Sequence, residues 1–488
     1  MPLDLPRLGA GAGFGCRSAG PAACPAGSPC AKSRRSPDDQ GAARGTATRR
    51  HTPPPGRTGG AQRHSAGRGC GAGGAIRDRP VTGPARFDLL ASDRARDWID
   101  VFRALAIAQV VVFHVLFAVA RFAPEATLPG FVDRLPWVMN LFWEPAGVDV
   151  IFVVSAFLLS YGLLSDTDTS LRSFAIKRLS RILPLYYVAI AFYGLLEGYS
   201  WQTILLSAVF LGYTVADSNV IPVGWSMEVM VLVYLALHFL MRWLTGVRRP
   251  LVWLTGVLIL TVAVRFVAIA MDDSDLTLFF ARIVATGDVP PIAFELYYRP
   301  WFRLTPFVIG IALAFVLAPQ RPWLTVLRRN QALRLALVGG GLALFFALNW
   351  LPTQRPESDW NQTRFTGFAE FYLGGGYALA SMAVAMVLAG LIASPSTRRG
   401  LGQLCVFTIL SRNIFAIYLF HFPCILIAAI LVFATTDRTA LEIAFGDAGV
   451  FRIAAISALA LIISALIARP ITRYLEIAPQ NWLRRRFL

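Results

Sequence analysis

From Trp98 onward, apolar runs of about twenty residues alternate with short polar connectors, and about twenty residues of α-helix are what the hydrocarbon core of a bilayer requires. The runs cover about 98–121, 141–164, 182–199, 201–216, 223–243, 250–271, 300–318, 333–351, 371–393, 406–434 and 449–468. The connectors decide which of them cross, because positive charge is retained on the cytoplasmic side. With 201–216 left uncrossed, that side collects Arg172, Lys177, Arg178 and Arg181, then Arg242, Arg248 and Arg249. It continues with Arg321, Arg328, Arg329, Arg334, Arg398 and Arg399, and ends with Arg469, Arg473, Arg484, Arg485 and Arg486. The opposite side collects Asp272, Asp273, Asp275, Asp288, Glu357, Asp359, Glu442 and Asp447. A crossing by 201–216 would invert this bias. The pattern therefore predicts an all-α, polytopic transmembrane bundle of about ten spans with both termini cytoplasmic. The 201–216 segment, bracketed by Trp201 and Tyr213, is expected to be interfacial or re-entrant.

Composition agrees with the spans: of 488 residues 56% are apolar and 15% charged, which excludes a water-soluble enzyme. The net charge of +17 has another origin. Residues 1–97 hold 15 Arg and Lys32 against seven Asp, and so carry +9 of it. They are rich in Gly, Ala, Pro and Ser and lack the apolar surface that offsets ordering entropy, so residues 1–90 are expected to form a disordered tail. No apolar h-region follows Met1, so no secretory signal peptide is expected. One reading is a polybasic arm; the preferred one is upstream sequence translated from a start assigned too early. No Met lies between Met1 and Met139, so the true start would be a non-AUG codon near Val81 or Leu89. Beyond the tail come a membrane domain over 91–480 and a short basic tail over 481–488. No nucleic-acid partner is expected. The cysteines form no CxxC or metal-ligand spacing, so neither a zinc site nor a disulfide framework is indicated. Arg outnumbers Lys 44 to 2, the mark of a GC-rich genome, and a multi-pass protein of a bacterial inner membrane is expected.

Polar groups inside spans are costly and need a reason. Arg103 and His114 are eleven residues apart, three helical turns plus roughly 20°, so they share one face about 16 Å apart along the axis. A snorkelling Arg and a packed His would be the alternative, but a His deep in a span on the same face as an Arg favours a polar cavity. Asp149 and Ser155 lie in the second run, and Ser155-Ala156 also suits close helix packing. Phe174 to Tyr186 concentrates Lys177, Arg178 and Arg181 before a span, as topogenic charge or as a cradle for phosphates. Trp225 and Glu228 begin another run, and Tyr418 and His421 are three apart on one face of the tenth run.

These residues resemble the integral-membrane acyltransferase-3 family, over about Trp98 to Pro479. The Arg-x10-His of its first span is matched by Arg103 and His114. Its second-span pattern is matched by Gly147, Phe152, Ser155 and Phe157, with Ile151 and Ala156 replacing the usual Phe and Gly. The basic pattern is matched by Phe174, Arg178, Arg181, Ile182, Pro184 and Tyr186, with Lys177 replacing an Arg. Ile417, Tyr418, Leu419, His421 and Pro423 match a fourth pattern, and Tyr474, Glu476 and Pro479 a weaker fifth. Glu228 departs: it stands three residues after Trp225 where the family sets its acid five after, a turn of about 200° on a helix.

The resemblance implies an O-acyltransferase that takes an acyl group, acetyl first among candidates, from cytoplasmic acyl-CoA. The acceptor would be a hydroxyl of a cell-surface carbohydrate or lipid-linked glycan, with no further cofactor. His114 would serve as general base or be acylated transiently, and the sequence leaves both open. Arg103 joins it as a catalytic candidate, and Lys177, Arg178 and Arg181 are donor-binding candidates. Asp149, Ser155, Tyr186, Trp225, Glu228, Tyr418 and His421 are expected to line the site. The rival reading is a secondary transporter, which would more often show internal repeats.

Overall fold

The computed structural model describes residues 89, 92–122, 146–165, 170–216, 218–271, 296–318, 321–350, 371–395 and 404–488. The expected tail, apart from Leu89, lies outside the described residues, as do the acidic residues expected near 272–288 and 357–359 and Arg398 and Arg399. Among the described residues the protein is helical, with no strand, and ten helices are long and apolar enough to cross a membrane.

In chain order the helices are α1 (Asp93–Phe122), α2 (Ala146–Ser165), α3 (Leu171–Glu197), α4 (Trp201–Ala208), α5 (Gly212–Val215), α6 (Gly224–Gly246) and α7 (Pro250–Ala270). A 3-10 turn, Pro300–Arg303, leads into α8 (Thr305–Leu317), followed by α9 (Pro322–Arg329) and α10 (Gln331–Trp350). A π-helical turn, Tyr372–Gly376, opens α11 (Tyr377–Ile392). Then come α12 (Cys405–Arg412), α13 (Ile414–Phe433), α14 (Arg438–Gly446) and α15 (Val450–Ile471). A second π-helical turn, Thr472–Ile477, joins α15 to α16 (Ala478–Phe487).

Side chains such as Leu195, Ile259 and Phe451 stand exposed on the outside. Water would make such a surface a liability, whereas lipid solvates it. Inside, small residues let backbones approach, as expected where lipid supplies no hydrophobic drive between helices. A Cβ added to Gly147 on α2 would sit 2.6 Å from the Ala106 carbonyl of α1. Gly310 on α8 leaves room for Ala156 of α2 in the same way.

Three expectations meet specific local physics. The run expected at 182–199 is the second part of a helix that begins at Leu171, capped by the Ser170 hydroxyl, which accepts from Ser173 N at 3.3 Å. Lys177, Arg178 and Arg181 therefore sit on helix rather than loop. The run expected at 406–434 divides at Asn413, whose side-chain amide donates to the Ile409 carbonyl at 2.7 Å. The 201–216 segment is not among the ten membrane-length helices and folds as α4 and α5. Ser207 and Tyr213 within it and Val220 and Ile221 just after it are buried, so one side of it is tucked into the protein, while Trp201, Leu205 and Val209 stay exposed. The Tyr186 hydroxyl pins it by donating to the Ser207 carbonyl at 3.0 Å, and Val220 N donates to Ser207 Oγ at 3.0 Å.

Candidate functional site: a paired histidine above an arginine-lined cavity

α1 carries both poles of the site. Arg103, near its start, lines a cavity of about 400 Å³ with Arg181 of α3, Arg412 of α12, Asn413, and Arg469, Arg473 and Glu476 from the end of α15 and the π turn. His114, three turns farther along, lines a second cavity of about 10 Å³, room for about one water, with Phe113, Val223, Trp225, Tyr297 and Tyr418.

The hydrogen bonds of His114 fix its tautomer. Its Nδ1 lies 2.8 Å from the Val110 carbonyl, and a carbonyl only accepts, so Nδ1 carries the proton. The same logic protonates His421 at Nδ1, 2.7 Å from the Tyr418 carbonyl. His421 Nε2 is then a lone pair facing the His114 Nδ1–H at 3.2 Å. The remaining nitrogen, His114 Nε2, keeps its own lone pair. Neither ring has a carboxylate partner among the described residues, so burial favours two neutral imidazoles. This arrangement can hold a base and steady the imidazolium it becomes on taking a proton.

The wall around this base is aromatic and braced. Tyr418 Oη and Ser226 Oγ are 2.6 Å apart, and Ser226 also donates to the Val223 carbonyl at 3.0 Å. Behind Trp225 and Tyr297, Arg303 Nη2 meets Asp149 Oδ1 at 2.6 Å, both side chains buried. The Arg303 guanidinium also stands over Trp225, Tyr297 and Tyr377, 4.6–5.3 Å from the ring centres. Burial pushes the Tyr298 phenol up to about 12 and raises Tyr297 well above the ordinary range. Both are therefore protonated donors near neutral pH.

Of the residues expected at the site, His114, Trp225, Tyr418 and His421 are brought together, and Asp149 sits one layer behind them. Ser155 lies between the two poles, beside Tyr234, whose hydroxyl is within electrostatic reach of Arg103, Arg178 and Arg181. Tyr186 is elsewhere, stacked on Phe210 with ring centres 4.4 Å apart. Glu228 turns to α5: it accepts from Tyr213 N at 3.0 and 3.1 Å, Thr214 N at 3.1 Å and Asn219 Nδ2 at 2.7 Å. Its work there is to hold the tucked segment. Gly212 permits this packing, since a Cβ there would collide with the Ser218 carbonyl.

The donor candidates divide as well. Arg181 faces the large cavity, whereas Arg178 stands over the Phe174 ring at 5.7 Å with its Nε buried and without a hydrogen-bond partner among the described residues. Lys177 receives Arg484 Nη2 on its backbone carbonyl at 3.3 Å. Sequence reasoning assigned no site role to Arg412, Arg469, Arg473 or Glu476. A signal was present in the last three: spacings of four and three place them near one helical face. Ser226, Tyr234 and Tyr297 left no comparable mark, because each becomes polar wall only through neighbours distant in sequence.

The family model described as an acyltransferase domain, the third of that name, matches residues 96–469. Neither curated proteins nor solved structures gave a match. The matched stretch runs from the start of α1 to the end of α15 and contains both histidines and four of the six charged residues of the large cavity.

Proposed function

Because the chain belongs to the acyltransferase-3 family of integral-membrane transferases, we propose that it moves an acyl group from acyl-CoA to a hydroxyl of a cell-surface carbohydrate or lipid-linked glycan. The acyl group is acetyl in the simplest case, and the membrane a bacterial inner membrane with the termini and the arginine cavity on the cytoplasmic side. The observation that carries this reading is the fixed tautomer of His114 on the same helix face as Arg103.

Arg103, Arg181, Arg412, Arg469 and Arg473 offer charge-assisted hydrogen bonds to the donor's phosphates. The pantetheine arm then runs along α1, past Ser155 and Tyr234, for the roughly 16 Å that separates Arg103 from His114. At its end His114 Nε2 takes the proton of the acceptor hydroxyl while that oxygen attacks the thioester carbonyl. The tetrahedral intermediate collapses, the C–S bond breaks, and the thiolate recovers the proton from the imidazolium. Alternatively, Nε2 itself attacks the carbonyl, the C–S bond breaks to release coenzyme A thiolate, and the acyl group passes from Nε2 to the hydroxyl in a second step, the hydroxyl's proton going to that thiolate. In both routes the transient positive charge on His114 is shared with the His421 lone pair and the Val110 carbonyl. The cavity at His114 holds about one water, so side chains such as Phe113 and Tyr297 move aside to admit the reactants.

The test is transfer of radiolabel from acetyl-coenzyme A to a mixed cell-surface glycan acceptor by the purified protein in lipid nanodiscs. Covalent label on the acceptor supports the reading. Label that crosses proteoliposomes without being transferred overturns it in favour of transport.

A further inference from the structure

Glu476 stands in the arginine cavity with no role assigned above. It belongs to the π turn, its side chain is 5% exposed, and Oε1 lies 3.7 Å from Arg181 Nε. Oε2 is buried and has no hydrogen-bond partner among the described residues. A carboxylate so placed is the resident counter-charge of a site built to hold a different anion. The groups around it are Arg181 of α3, Arg103 of α1, Arg412 of α12, and Arg469 and Arg473 on its own segment. Among the described residues the other carboxylate acting on Arg103, that of Asp100, is engaged by the Ser411 hydroxyl.

We infer that Glu476 gives way to the anionic donor by taking up a proton, so that phosphate binding in this cavity is coupled to protonation of its buried carboxyl. This rests on the donor site proposed above. When the cavity is empty, Arg181 at 3.7 Å and Arg103 supply the counter-charge to the Glu476 carboxylate. When phosphates claim those arginines, Glu476, its own side chain buried, would be an unpaired anion beside other anions, which is untenable. One proton from solvent on Oε2 removes the repulsion, and the new O–H is a donor for a phosphate oxygen. The device keeps the arginines ordered without a ligand, and it loosens coenzyme A as the carboxyl ionises again, favouring release of product.

The sign follows from linkage: a site that gains a proton on binding loses affinity as pH rises, by up to about tenfold per pH unit. The experiment is calorimetric titration of the nanodisc-embedded full-length protein with coenzyme A, and in parallel with inorganic pyrophosphate. It is run from pH 6.5 to 8.5 in buffers of different ionisation enthalpy, with wild type and Glu476→Gln. Wild type is expected to take up as much as one proton per ligand. The Gln variant should bind about tenfold more tightly at pH 7.5, and the only remaining proton exchange should be that of the ligand's own phosphates. Proton uptake that is unchanged in Glu476→Gln, weaker binding by that variant, or no uptake by wild type would overturn the inference. So would binding of neither probe. Wild-type uptake needs no variant, so a Gln variant that does not fold leaves the test decisive. Pyrophosphate bound with proton uptake while coenzyme A is refused would sustain the role of Glu476 and sink the donor reading.

Discussion

His421 Nε2 faces His114 Nδ1 at 3.2 Å, each ring anchored by a backbone carbonyl of its own helix. Two histidines 307 positions apart thus form one unit whose His114 Nε2 has no hydrogen-bond partner among the described residues. The second ring does for the first what a carboxylate does in many hydrolytic sites, but without negative charge. It orients the base and accepts from it, and leaves a neutral centre that apolar surroundings tolerate.

His421→Ala removes an acceptor that is worth most when His114 is charged. A hydrogen bond to a charged group contributes about 1.5–3 kcal/mol, so kcat should fall roughly 10- to 100-fold. The KM for acyl-CoA should hardly move, since the proposed phosphate site is at the other pole. Steady-state kinetics with His421→Gln, whose amide oxygen can accept from Nδ1–H, should show part of the rate restored.

Breaking the Asp149–Arg303 pair should be a matter of stability. Removing one partner of a buried pair costs about 3–5 kcal/mol, because the other keeps its buried charge without its counter-ion. Asp149→Ala and Arg303→Ala are therefore expected to lower the thermal unfolding midpoint in detergent. The Asp149→Leu, Arg303→Met double variant should be less destabilised than either single one.

Glu228→Ala should loosen the tucked segment and leave donor binding alone. Tyr213 N, Thr214 N and Asn219 Nδ2 would lose their acceptor, at about 1–3 kcal/mol for each buried group. Amide hydrogen exchange would report this as faster exchange at Tyr213 and Thr214, while coenzyme A affinity stays as in wild type.

Within the basic cluster the cavity sets an order. Arg412→Ala and Arg473→Ala should each weaken coenzyme A binding about tenfold, the cost of one charge-assisted contact. Arg178→Ala, which removes a side chain packed on Phe174 outside the cavity lining, should have a smaller effect. Titration at two ionic strengths is the check, and the Arg412 and Arg473 variants should show the shallower salt dependence.

These contrasts show what sequence can carry. Ten spans were legible because a bilayer imposes one length and one polarity on every crossing, and the tucked 201–216 segment because charges on either side disagreed with a crossing there. Arg103 and His114 were legible because helical periodicity alone puts them on one face. Glu228 was misleading as an expected wall residue: its carboxylate is buried in a span, but the partners that explain it, Tyr213, Thr214 and Asn219, lie on the short α5 and the turn after it. Arg178 and Arg181 look equivalent in the sequence, and only the packing of α3 turns one toward Phe174 and the other toward the cavity. The His114–His421 contact joins the first and ninth membrane-length helices, and no local pattern encodes such a meeting.

The central claim is that His114 Nε2 performs the acyl transfer while the arginine cavity only holds the donor. Its most direct test is single-turnover transfer from saturating radiolabelled acetyl-coenzyme A by wild type and His114→Gln, with coenzyme A affinity measured on the same preparations. The account predicts near-equal affinities and a rate reduced by at least about a hundredfold in the variant, the scale of a lost general base. A His114→Gln protein that binds coenzyme A normally and transfers at the wild-type rate would contradict it.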